Sequence, residues 1–186
     1  VTSSLLHSPK ADANARHASM KAYEIFQNLP LDRGMQILSD IRELEPNSFK
    51  ATVLTLARDR KLRPVFIQKK PRDQQAAWCL KTLKLRTEDH VAEHILQVWL
   101  MKKHPDILVT FLDAVGIEHD GEGMIEGELP ESIDQAMVKA GADAIFDKYD
   151  DADAALYLHV FQLQTEDGWP EIADLIANDK RAQISA

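Results

Sequence analysis

An internal likeness constrains the fold more than any other feature of the chain. Residues 94–111, HILQVWLMKKHPDILVTF, align without a gap on residues 159–176, HVFQLQTEDGWPEIADLI. His94 matches His159, Gln97 matches Gln162, Pro105 matches Pro170 and Ile107 matches Ile172. Apolar residues at 95, 96 and 98 meet apolar residues at 160, 161 and 163. Both segments read helix, bulky residue, proline, helix. Proline in the first turn of a helix sacrifices no hydrogen bond, because the N–H groups there have no partner inside the helix; Pro105 and Pro170 therefore mark the start of a second helix in each pair. Pro30 and Pro64 punctuate the earlier chain in the same manner, without the residue matches. The economical expectation is an all-α domain of about ten helices, built from antiparallel hairpins stacked into an α-solenoid-like or compact array. The repeat spans about 88–115 and 152–179 within one domain over 18–186, after an N-terminal linker or flexible tail over 1–17.

Helical periodicity supports this along most of the chain. SMKAYEIFQNL places Ala22, Ile25, Phe26 and Leu29 on one face, and DRGMQILSDIREL places Met35, Leu38, Ile41 and Leu44, or Ile37 beside them, on another. Asn47 or Ser48 is the expected cap of a third helix, Pro64 opens a short one, Asp73 leads into the next, and Thr87 with Glu88 and Asp89 starts the helix that carries His90 and His94. DKYDDADA, residues 147–154, lacks the glycine and terminal glutamate of a calcium loop and reads as a junction capped by Asp150 or Asp151. GIEHDGEGMIEGE, residues 116–128, is the exception: an irregular acidic insertion near 116–129 in which Asp120-Gly121 and Glu122-Gly123 can turn a small hairpin. In layout the chain resembles α-solenoid repeats such as HEAT and tetratricopeptide arrays. The Trp-Leu-Gly-Tyr pattern of the latter is absent.

Composition excludes several classes. Cys79 is the single cysteine, so neither a disulfide framework nor a multi-cysteine zinc site is available, and a reducing, cytoplasmic setting is expected. The longest apolar region, Ile95 to Val115, is interrupted by Lys102, Lys103, His104 and Asp106 and does not read as a membrane span. Formal charge is −8 overall, yet residues 42–103 carry +7 and residues 104–186 carry −15. A chain so divided suits a polar partner, or a homo-oligomer that pairs the basic middle of one copy with the acidic half of another.

Three constellations carry possible chemistry. His90, Glu93 and His94 stand in the order HxxEH, and on a helix they share a face with Gln97 and Met101, which brings two imidazoles within reach of one ion beside a carboxylate. Zinc hydrolysis needs that set together with a third ligand and an open position for water. The motif resembles that of the inverzincin peptidases related to pitrilysin. That resemblance implies His90 and His94 as zinc ligands, Glu93 as general base, and a downstream glutamate, here Glu171, as third ligand. The mixed sheet of those peptidases has no counterpart in this helical pattern, and the aligned copy has Ala155 and Leu158 where His90 and Glu93 stand. A solvated helix face without metal or cofactor is therefore the expectation, with a zinc hydrolase as the alternative. The second constellation, residues 58–72, sets Arg58, Arg60, Lys61, Arg63, Lys69, Lys70 and Arg72 around Phe66; it reads as a binding surface, or alternatively as a track for a nucleic-acid backbone, a partner the acidic remainder opposes. The third, Cys79 beside Trp78, reads as a buried small side chain. Trp78, Trp99 and Trp169 read as packing residues.

Stacked hairpins form extended grooves, so the functional expectation is a scaffold or adaptor that binds an unidentified protein or peptide, with a metal-dependent hydrolase or nucleic-acid binding as the alternatives.

Overall fold

The computed structural model describes residues 20–165 and 169–184; the expected linker over 1–17 lies outside them. Among these residues ten α-helices follow one another: α1 (Ala22–Asn28), α2 (Leu31–Leu44), α3 (Pro46–Asp59), α4 (Pro64–Gln68), α5 (Arg72–Leu83), α6 (Asp89–Lys103), α7 (Pro105–Val115), α8 (Gln135–Lys148), α9 (Asp151–Gln164) and α10 (Pro170–Asn178). Short 3-10 turns precede α6, at Arg86–Glu88, and close the described chain, at Lys180–Ala182. Among the described residues no strand forms. A lone antiparallel bridge between His119 and Ile125 is the whole strand character of the 116–129 insertion.

Proline sits at the first turn of α3, α4, α7 and α10, so the helix-Pro-helix pattern is realised at Pro105 and Pro170 and also at Pro46. The last of these moves the start of α3 ahead of the expected Asn47 or Ser48 cap: a ring that fixes φ suits the first helical turn without any side-chain cap. Asp150 caps α9 as expected, its carboxylate accepting from the Ala152 N–H at 3.0 Å. Asp134 does the same for α8, accepting from Ala136 at 2.6 Å.

Adjacent helices pack as stacked hairpins. α2 lies against α3, α5 and α6, while α7 packs along α8. α9 runs through the middle and touches α1, α6, α7, α8 and α10. Its sequence explains that place: every residue from Ala154 to Gln162 is buried, so no face is left for water. Phe111, Tyr157, Phe161 and Trp169 stack around it with ring centroids 5.1–5.8 Å apart. α1 buries Ala22, Ile25, Phe26 and Leu29, the expected face. α2 buries Ile37, Leu38 and Ile41 but leaves Leu44 exposed at its end, so Ile37 rather than Leu44 completes the stripe.

The end of α3 is strained. Lys61 takes φ +54°, the left-handed region. Its N–H reaches the Arg58 carbonyl and the Leu62 N–H reaches the Ala57 carbonyl, each at 2.8 Å, which closes the paired C-terminal bonds that glycine usually supplies. Gly116 does so after α7, with φ +73° and the Ile117 N–H on the Leu112 carbonyl at 2.9 Å. A left-handed residue with a Cβ costs about 1–2 kcal/mol, partly offset in glycine by a more flexible unfolded chain. Lys61→Gly is therefore expected to stabilise the fold by about 0.5–1 kcal/mol. A urea titration would show this as a higher midpoint at unchanged slope, and a lower midpoint would contradict it.

Candidate functional site

A cleft of about 480 Å³ opens between the C-terminal half of α6, the start of α7, α9 and the acidic 116–134 segment. Leu100 and Met101 come from α6, Leu108 from α7, Phe161 from α9, and Met124 and Ile125 from the loop. Its walls are mostly apolar, with Gln97, Gln164 and Glu128 as polar members. On the other side of Met101 and Met124 a second, separate cleft reaches Asp106 and Glu122. Two cations line it, and both are engaged: Lys102 pairs with Glu45 at 3.1 Å, and Lys148 lies over the Tyr149 ring.

The loop is a held structure. The Asp120 carboxylate accepts from the Glu122 and Met124 N–H groups at 2.8 and 3.0 Å. Those backbone donors, Glu122 first, hold its pKa below the usual carboxylate value. His119 Nδ1 accepts from the Gly121 N–H at 3.1 Å, which leaves the proton on Nε2 to donate to Asp113 at 3.0 Å. At the far end the Trp169 indole N–H donates to the Pro130 carbonyl at 2.8 Å. Between residues 116 and 134 the loop carries seven carboxylates and neither lysine nor arginine, and Glu118, Asp120, Glu122, Glu126, Glu128, Glu131 and Asp134 are all exposed.

Beside the cleft, α6 is fixed by a polar cluster. The buried Asp40 of α2 accepts from the Trp99 indole at 3.0 Å, from Gln36 at 2.8 Å and from Lys103 at 3.4 Å. Burial raises the pKa of that carboxyl, but the bonds from Trp99 and Gln36 and the Lys103 ammonium outweigh it and hold the group below its ordinary value. Arg33 pairs with Asp153 and lies over the Trp99 ring, its guanidinium 5.1 Å from the centroid. The His104 ring meets Trp99 edge-on at 4.6 Å, and burial, then Arg33, keeps its pKa down. Nothing in the sequence joins α2 to α6 and α9 at these positions, which only tertiary packing brings together.

His90 and His94 are exposed on α6, with Glu93 half-buried between them. Glu93 accepts from Gln97 Nε2 at 2.9 Å, so the carboxylate and the carboxamide of this face bond to each other. Glu171 sits in the first turn of α10, half-buried, with a buried Oε2 that has no hydrogen-bond partner among the described residues. Among the described residues no group of three or more His, Cys, Asp or Glu is placed to hold a metal ion. The aligned His159 differs from His94 in its surroundings. It is buried and donates from Nε2 to the Ala182 carbonyl at 3.0 Å, and burial lowers its pKa.

Arg58, Arg60, Lys61, Arg63, Lys69, Lys70 and Arg72 are all exposed. None forms an ion pair among the described residues. Leu62, Val65 and Phe66 stand exposed among them, Phe66 at 62 %. Cys79 is fully buried, and that burial pushes its thiol up to about 12, which makes it a poor nucleophile at neutral pH. Trp99 and Trp169 are core residues and Trp78 is partly buried against the core. No helix among the described residues is long and apolar enough to cross a membrane.

The cleft residues escaped sequence reading because four separate elements supply them. Met124 stands 55 % exposed at the edge of the cleft, a property its place in an acidic run does not reveal. No protein-family model, no curated protein and no solved structure matches the chain.

Proposed function

We propose that the chain is a protein-interaction module, and that the cleft under the acidic loop is its recognition site, taking an apolar side chain presented by a basic peptide segment. The observation that carries this reading is the joining, in one place, of an apolar cavity edged by two exposed methionines with a loop of seven carboxylates and no cation. Methionine side chains are flexible and polarizable, so they repack around differently shaped anchors. Carboxylates round an apolar pocket steer a cationic partner to it and contribute more to its rate of encounter than to its final affinity. An anchor of phenylalanine or leucine flanked by lysine and arginine meets both demands.

Fluorescence anisotropy with a labelled peptide carrying one Phe between Lys and Arg residues tests the proposal. Saturable binding is expected, weaker by about tenfold or more for Met101→Asn/Met124→Asn, a double change that removes the apolar wall and keeps the charge. Peptides with Phe→Ala, or with acidic in place of basic flanks, should not bind measurably. Equal binding by the wild type and the double variant, or no saturation at low salt, would overturn the reading.

A further inference from the structure

Of the nine exposed large apolar side chains among the described residues, five stand in two groups, Leu62, Val65 and Phe66 around α4 and Met101 and Met124 at the cleft, while Leu31, Leu44, Leu85 and Met137 lie outside both. The two places have opposite charge. Residues 58–72 hold seven cations and one carboxylate, Asp59, while residues 116–134 hold seven carboxylates and no lysine or arginine. They belong to different elements, since α4 packs on α3 and α5, whereas the cleft is built by α6, α7, α9 and the loop. α4 buries Ile67 alone and leaves Phe66 in solvent, flanked by cations that form no ion pair within the described chain. The strained turn at Lys61 fixes the approach to this helix, and backbone strain of this kind tends to persist where a surface is used.

We infer that Phe66 on the basic turn of one copy seats in the acidic, methionine-edged cleft of a second copy. The inference rests on the cleft being the recognition site proposed above. Each half answers the other in polarity and sign: an aromatic knob among arginines and lysines, and an apolar hole lined by Glu128 and walled on one side by the acidic loop. A knob and a hole on different surfaces of the same chain make a head-to-tail contact, which grows into open chains or closes into a ring, depending on the rotation between copies. The contact joins surfaces, so the fold of each copy stays as it is. Raising salt screens the charges and leaves the apolar contact in place.

Sedimentation velocity on the full chain, over a concentration series and at low and high salt, tests it together with two charge-preserving variants. Wild type is expected to form species larger than a dimer as concentration rises, with association about tenfold or more weaker at high salt. Phe66→Asn, which loses the knob, and Met101→Asn/Met124→Asn, which loses the hole, should each be monomeric. Mixed in equal amounts they should give a one-to-one heterodimer and nothing larger, because one intact knob and one intact hole remain. Wild type that stays monomeric at low salt, either variant that still associates alone, or a mixture that stays monomeric overturns the inference. Binding of the basic Phe peptide by Phe66→Asn at wild-type affinity shows that this variant is folded. It also separates the two claims: peptide binding without self-association removes the second copy as partner and leaves the recognition site standing, and the loss of both removes both.

Discussion

Trp99→Ala is expected to destabilise the protein by about 5 kcal/mol or more, a loss comparable to the whole stability of many domains of this size. Trp99 is 1 % exposed, and truncating a buried aromatic residue costs about 3–5 kcal/mol through lost transfer energy and the cavity left behind. A second cost falls on Asp40. Its Oδ2 accepts from the Trp99 indole, and a buried acceptor left without its donor adds about 1–3 kcal/mol. Arg33 loses the ring beneath its guanidinium and His104 loses its edge contact in the same step. Trp99→Phe separates the contributions, since it keeps most of the apolar bulk and removes the indole donor; a loss of about 2–3 kcal/mol is expected there. Urea unfolding followed by circular dichroism measures both variants. A loss below about 1 kcal/mol for Trp99→Ala would mean that the Asp40–Trp99 contact does not tie α2 to α6 in solution.

The second large effect is on binding. Gly123 has φ +94°, and a Cβ placed there would stand 2.5 Å from Leu108 Cβ and 2.9 Å from its Cδ2. Leu108 is buried in α7 and its Cβ is fixed to the backbone, so the loop must move instead. Met124 and Ile125 follow immediately in the chain and form one wall of the cleft. Gly123→Ala is therefore expected to weaken binding of the basic Phe peptide by about tenfold or more, with a stability cost of about 1–3 kcal/mol. Gly121→Ala is the control. Gly121 also has positive φ, +85°, but a Cβ there meets nothing within 4 Å, so backbone strain is the only penalty and peptide affinity should stay within about twofold of wild type. Equal affinities for the two variants would show that the loop is no wall of the binding site.

How far the sequence revealed these features depended on whether the information was local. The face of α1 was legible because four apolar residues at helical spacing all meet the core. Periodicity does not mark where a helix runs out of neighbours, so the exposure of Leu44 on α2 was not legible. Prolines 105 and 170 located two helix starts, because the reason for proline at a first turn lies within that turn. The likeness of 94–111 to 159–176 gave the layout correctly and the environment only in part. His94 faces solvent on a helix with one wet side, while His159 is buried in the central α9, where no side is wet. Sequence reading therefore found the HxxEH face and the exposed basic turn, each contained within a short stretch. It missed the cleft, whose Leu108, Met124 and Phe161 come from three elements, and the Asp40–Trp99 bond, whose partners are 59 residues apart.

The central claim, that an apolar anchor enters the cleft between the acidic loop and α6, is tested most directly by methyl spectra of the protein labelled at its five methionines. Titration with the basic Phe peptide is expected to shift the Met101 and Met124 methyl resonances progressively to saturation, while Met20, Met35 and Met137, none of which lines the cleft, hold their positions. Unmoved Met101 and Met124 signals in the presence of bound peptide, or equal shifts of all five methyl groups, would contradict the account.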